Sequence, residues 1–208
     1  MSTPQIQNPE LGAVEVHGMT RSSFILKGAL ATGAALGATA VSPFVSSALA
    51  ASGDVDILNF ALTLEYLEAD FYKSKGPSVH LAGEAKRLAA SFGDEEADHV
   101  AALTKAIKSA GAKPVKKPTF AFPVSDQASF LKLAYTLENV GVGAYNGAGP
   151  SLKSKALLAA AGSIVQVEAR HAAAIAVLTK EKITPNGAFD KPLTSKQVLA
   201  KAKPLIKR

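Results

Sequence analysis

Between residues 54 and 180 the apolar positions recur at three- and four-residue spacing in four separate runs, the period of helices with one buried face. The first run, which Asp54 or Asp56 can cap, puts Leu58, Leu62, Glu65, Ala69 and Tyr72 on one side and stops at Gly76-Pro77. The second extends from about Ala82 to Ala110, aligns Phe92, Glu96, His99, Leu103 and Ile107, and ends at Gly111. Pro114, Pro118 and Pro123 forbid a regular helix between 112 and 124, so that stretch reads as an extended connection. A third helix opens at Ser125 or Asp126, shows Leu131, Ala134, Tyr135, Glu138, Val142 and Tyr145, and breaks over Gly147 to Pro150. The fourth starts at Ser151 and continues to about Lys180, with Ile164, Glu168, His171, Ile175 and Leu178 in line.

The first and third runs superpose. Leu62-Thr63-Leu64-Glu65 lies in register with Tyr135-Thr136-Leu137-Glu138, and Tyr72 then falls on Tyr145. The second and fourth superpose through Glu96-Ala97-Asp98-His99 and Glu168-Ala169-Arg170-His171. A duplicated helical hairpin explains both matches. Two short hairpin loops and one long middle connection predict an all-α four-helix bundle with a crossover. Its helices would be about 30–45 Å long at about 1.5 Å per residue.

The flanks read differently. Residues 1–28 are mostly polar, with Arg21 and Lys27 just ahead of an uncharged small-residue run from Ala29 to Val41, and Ala48-Leu49-Ala50 supplies a small-x-small cleavage signature. The run is shorter than a bilayer span and is interrupted by Gly33 and Gly37, with Pro43 just after it, which favours a cleaved export signal over a permanent membrane helix. The stretch Thr20 to Lys27 resembles a twin-arginine export motif in which Ser22 replaces the second arginine and the lysine comes one residue late; Met19 offers a second start. The expected division is an export signal at 1–50, a helical bundle at 51–182 and a basic tail at 183–208, with a short helix after Thr194. The protein is accordingly expected outside the cytoplasm, in the periplasm, the envelope or the medium.

Composition narrows the chemistry. With 48% hydrophobic residues the chain can fill a core, and with no cysteine among 208 residues any metal must be held by oxygen and nitrogen. A net charge of +6 reads as a lysine-rich face, and the absence of aromatics interleaved with a basic stripe argues against nucleic acid as a partner. Four glutamates stand on inward faces: Glu65, Glu96, Glu138 and Glu168. His99 and His171 each lie three residues after a glutamate, so each pair can reach one point from one helix face. Isolated buried carboxylates are strongly unfavourable, and four together repel each other. Two divalent cations balance four carboxylates while the histidines stay neutral, which is the physical argument for a pair of metal ions.

In this order and spacing, Glu … Glu-x-x-His … Glu … Glu-x-x-His resembles the ferritin-like di-iron carboxylate superfamily over roughly Asp54 to Lys180. With the export signal it looks most like the secreted ferritin-like, desiccation-related group. The resemblance implies two irons per chain. Glu65 and His99 would serve one, Glu138 and His171 the other, and Glu96 and Glu168 would bridge them. It implies oxidation of Fe(II) by oxygen or peroxide in stress protection, without the rubredoxin-like cysteines of rubrerythrins, and it allows a homo-oligomer. Manganese suits the same ligands, so a di-manganese catalase-like enzyme stays open, as does a non-enzymatic envelope protein with a structural or vestigial site. Glu68, one turn beyond Glu65, is either a further ligand or an outer group, and its counterpart in the second half is Gly141. Glu95 points about 100° from Glu96 and is expected in solvent. Tyr72 and Tyr145 read as core residues with hydrogen-bonded hydroxyls, and Asp98 with Arg170 as a candidate ion pair. Gly141 and Gly143 read as sites of close packing or access near the metals, while His17 and His80 fall outside the pattern.

Overall fold

The structure is a computed structural model that describes residues 53–207. The export-signal expectation, His17 included, lies outside the described residues. Among them are four long helices, α1 (Asp54–Ser78), α2 (Gly83–Ser109), α3 (Gln127–Ala148) and α4 (Lys155–Thr179), and a short α5 (Ser195–Ala202). No strand forms among the described residues; a single isolated bridge joins Phe120 to Ile206.

Local chemistry accounts for most helix ends. The α3 start is a capping box: the Asp126 carboxylate accepts from Ser129 N at 2.8 Å, and Ser129 Oγ accepts from Asp126 N at 3.1 Å. At the end of α2, Gly111 takes φ 72°, while Ala112 N bonds Ile107 O and Gly111 N bonds Lys108 O. That left-handed residue closes the helix as a Schellman turn. Thr194 and Gln197 cap α5 reciprocally.

Three boundaries depart from the sequence expectation. Helix α1 runs through Gly76-Pro77 to Ser78: Pro77 gives up the bond its N–H would make to Lys73 O, and the turn is closed by Val79 N and Ser78 Oγ, which both bond Lys75 O. Asp54 is not a cap: α1 starts at Gly53 without a side-chain cap, and the buried Asp54 carboxylate accepts from Lys153 N (2.8 Å) and Ser154 N (2.9 Å). Those bonds hold residues 152–154 out of helix, so α4 starts at Lys155 with Ser154 as its cap, not at Ser151.

The same contacts fix direction. Asp54 ties the start of α1 to the start of α4, and Gln127 Oε1 accepts from Ala82 N, tying the start of α3 to that of α2. The 112–124 connection therefore returns along the bundle. Thirteen extended residues span about 43 Å, close to the roughly 40 Å of the 27-residue α2. Phe71, Phe92, Phe122 and Phe130 fill one end of the core. The last segment packs along α3: Leu193 N bonds Gly143 O, and Val198, Leu199, Ala202 and Leu205 are buried with the phenylalanines, where Ala121 N bonds Leu205 O.

Candidate metal centre

Helical spacing carries the six charged residues to the middle of the bundle. Glu65 lies on α1, Glu96 and His99 on α2, Glu138 on α3, and Glu168 and His171 on α4. All four glutamates are 0% exposed and His171 is 2% exposed, while the His99 side chain keeps a small opening.

Two groups of potential ligand atoms result. One atom each from Glu65, Glu96, His99 and Glu168 lies within 4.8 Å of the others, and the same holds for Glu96, Glu138, Glu168 and His171. Glu96 and Glu168 belong to both groups. His99 Nδ1 stands 3.2 Å from Glu65 Oε2, 3.1 Å from Glu96 Oε2 and 3.2 Å from Glu168 Oε1. His171 Nδ1 stands 2.9 Å from Glu96 Oε1 and 3.3 Å from Glu138 Oε2.

Proximity here is not satisfaction. Glu96 Oε1, Glu138 Oε2, both oxygens of Glu168 and His171 Nδ1 are buried without a correctly oriented hydrogen-bond partner. Buried polar atoms are normally paired, and a cluster of orphans aimed at one space marks a site for a cation. An all-oxygen-and-nitrogen set of this kind fits iron or manganese.

The electrostatics agree. Burial pushes Glu65 up to about 8, and burial with the neighbouring carboxylates pushes Glu168 and Glu68 well above the usual range. Burial also raises Glu138, although its contact with His171 opposes the shift. For His99, burial favours the neutral ring, but close contact with the Glu168, Glu65 and Glu96 carboxylates outweighs it and holds the group at about 12. His171 is held at about 11 against the same opposition, chiefly by Glu138 and Glu96. Glu96 is drawn down to about 2 despite its burial, because both histidines bond to it. Without metal, protons neutralise the cluster.

Outer contacts fix these groups. Tyr72 of α1 donates to Glu138 Oε1 across the bundle, and Tyr145 of α3 donates to Glu65 Oε1 at 2.5 Å. The hydroxyls expected to be hydrogen-bonded in the core thus bond to the two glutamates that belong to only one group each. Phe92 stacks on His171 with ring centroids 4.0 Å apart.

Glu95 corrects the expectation of a free, solvated carboxylate. It is 45% exposed, yet its Oε2 lies 2.5 Å from His171 Nε2, and Ser91 Oγ donates to its other oxygen. A carboxylate on the outer ring nitrogen fixes which nitrogen faces the centre. The sequence placed Glu95 off the ligand face correctly, but only the approach of α4 brings His171 to it. Its counterpart in the second half is Val167, so the two halves differ here. Glu68 is not solvated either: it is buried beside Glu168, outside both four-residue groups, with Oε2 unpartnered. Gly141 makes room for it, since a Cβ there would lie 2.7 Å from Glu168 Oε2 and 3.3 Å from Glu68 Oε1. Gly143 serves packing instead, with a Cβ position 2.6 Å from Leu193 Cγ. Asp98 and Arg170 are exposed and form no ion pair; two residues past a buried glutamate, each points away from the partner helix.

A family model described as the ferritin-like domain matches residues 53–181. No curated protein matches the chain.

Proposed function

The chain belongs to the ferritin-like domain family, and on that premise we propose that it is an exported di-iron protein that binds two Fe(II) ions and oxidises them with oxygen or peroxide in stress protection. We place it in the secreted, desiccation-related group of that family on the strength of its export-signal-like first fifty residues. The observation that carries the metal reading is the pair of overlapping ligand groups that share Glu96 and Glu168 and surround orphaned buried oxygens.

In this reading Glu65 and His99 would hold one ion, Glu138 and His171 the other, and Glu96 and Glu168, which belong to both groups, would serve both. With Glu68 protonated, the four remaining carboxylates would balance two divalent cations, and both histidines would bind as neutral rings. Glu95 accepts the Nε2 proton of His171 and leaves Nδ1 turned to the centre. Tyr145 and Tyr72 each hold the second oxygen of a terminal glutamate, which restricts those carboxylates to one free oxygen apiece. The surrounding apolar core excludes bulk water and strengthens every charge interaction within it. Bound iron would supply the electron transfer to oxygen or peroxide; the protein supplies geometry and charge.

Metal analysis of purified protein is expected to find two ions per chain. Anaerobic Fe(II) loading followed by oxygen should produce ferric absorption that Glu96→Ala and Glu168→Ala each remove. A protein that takes up neither Fe(II) nor Mn(II) overturns the reading, and rapid oxygen evolution from peroxide by the manganese-loaded form would replace it with a catalase-like one. Fractionation and amino-terminal sequencing test export, with a mature start near Ala51 expected.

A further inference from the structure

The duplicated hairpins place two tyrosines symmetrically, but their surroundings differ. Around Tyr72 the core is aromatic: Phe71 and Phe130 stack at 4.5 Å, and Phe92 and Phe130 each meet the Tyr72 ring edge-on at 5.9 Å. The repeat is offset by 73 residues between α1 and α3 (65 to 138) and by 72 between α2 and α4 (96 to 168). Under that offset Phe71 corresponds to Ala144, Phe130 to Ile57 and Phe92 to Ile164.

Those three smaller residues line a cavity of about 190 Å³, with Tyr145 also in its wall, at the end of the bundle where α1 and α4 begin. The void lies where the second copy of the aromatic cluster would sit. An apolar cavity of about 150 Å³ stays dry and accepts a small hydrocarbon. The rest of the wall is Phe60 and aliphatic residues rich in alanine, and its one charged residue is Lys105. Ala102 and Lys105 of α2 and Ala160 of α4 line the cavity and are exposed, so it opens to solvent between these helices.

We propose that this cavity is a binding site for a short aliphatic monocarboxylate, its chain in the void beside Tyr145 and its carboxylate at Lys105. The volume accommodates a chain of about six to eight carbons. Charge complementarity selects the anionic head group, because a cation would meet Lys105 at the mouth and a chain with charge at both ends would bury one of them in an apolar wall. Since Tyr145 bonds Glu65, the bound chain lies one side chain away from the candidate metal centre.

The test uses the metal-free protein and octanoate, so it stands or falls separately from the metal reading. Titration followed by isoleucine-methyl NMR is expected to shift Ile57 and Ile164 saturably. Octylammonium should bind more weakly than octanoate, and Lys105→Ala should weaken octanoate about threefold to fivefold. Ile164→Phe and, separately, Ile57→Phe restore the aromatic counterpart and should each reduce affinity at least about tenfold, with helical circular dichroism confirming that the variants fold. A shift at exposed Ile183 without saturation at Ile57 and Ile164 would overturn the proposal. So would octylammonium binding as tightly as octanoate, or folded Phe variants that bind octanoate unchanged.

Discussion

Glu95 is the residue whose role depends most on a neighbouring helix. Its bond to His171 Nε2 makes a specific expectation: Glu95→Gln should weaken metal binding about tenfold to a hundredfold, measured by competition with a chromophoric chelator. Glu95→Asp, which keeps the charge, should lose less. Gly147 shows the opposite kind of constraint. A Cβ there would lie 2.0 Å from the carbonyl oxygen of Leu193, and backbone cannot move aside as a flexible side chain can. Gly147→Ala should therefore destabilise the protein by about 1–3 kcal/mol in chemical denaturation. The sequence showed Glu65, Glu96, His99, Glu138, Glu168 and His171 because they repeat at helical spacing. It did not show Glu95's contact or Glu68's burial, since neither has a counterpart in the other half.

At the scale of elements, α5 and its flanks turn a tail into part of the core. The basic residues from Lys191 to Arg208 carry no legible role, yet Val198 is 0% exposed and Leu199 and Leu205 are buried against α3 and the 112–124 connection. Leu199→Ala should cost about 2–5 kcal/mol, read from urea unfolding. Asp54 likewise joins elements that the sequence treated separately. Asp54→Ala would leave the Lys153 and Ser154 amides without the carboxylate and should cost about 1–3 kcal/mol, with faster amide exchange confined to the start of α4. The four long helices were legible from apolar positions at three- and four-residue spacing, although α1 is buried on every side from Ile57 to Glu65. Their terminal turns were not, because Asp54 bonds a distant loop and the bonds of Val79 and Ser78 to Lys75 O carry α1 past Pro77.

For the whole molecule, the metal-free protein balances its buried charge with protons, and this sets its pH response. Glu65 binds its proton up to about pH 8 in the folded state, against an ordinary value of 4.5, and Glu68, Glu138 and Glu168 shift in the same direction. His99 and His171 are raised from 6.5 to about 12 and about 11. In each case the folded state holds more protons than the unfolded state above the ordinary value, so stability falls as pH rises. Thermal melts of the metal-free protein should therefore decline from about pH 4.5 towards pH 8. Within the cluster Glu96, lowered to about 2, works the other way, and its contribution is lost in acid below 4.5. Metal must displace these protons, so binding should release them into weak buffer and grow tighter with rising pH. A melting temperature in the metal-loaded protein that followed the metal-free decline would show that metal does not replace the protons.

The sequence by itself determined the all-α class, the duplicated hairpins, the crossover and the six inward-facing charged residues. Each of these follows from periodicity along one chain, where spacing alone says which side chains share a helix face. Only the tertiary structure decided that Glu95 reaches His171, that Glu68 is buried beside Glu168, and that residues 193–206 close the core. It alone showed that one copy of the repeated core is filled by phenylalanine while the other is left open. These features depend on distances between helices, and no spacing within a helix encodes how closely its neighbour approaches.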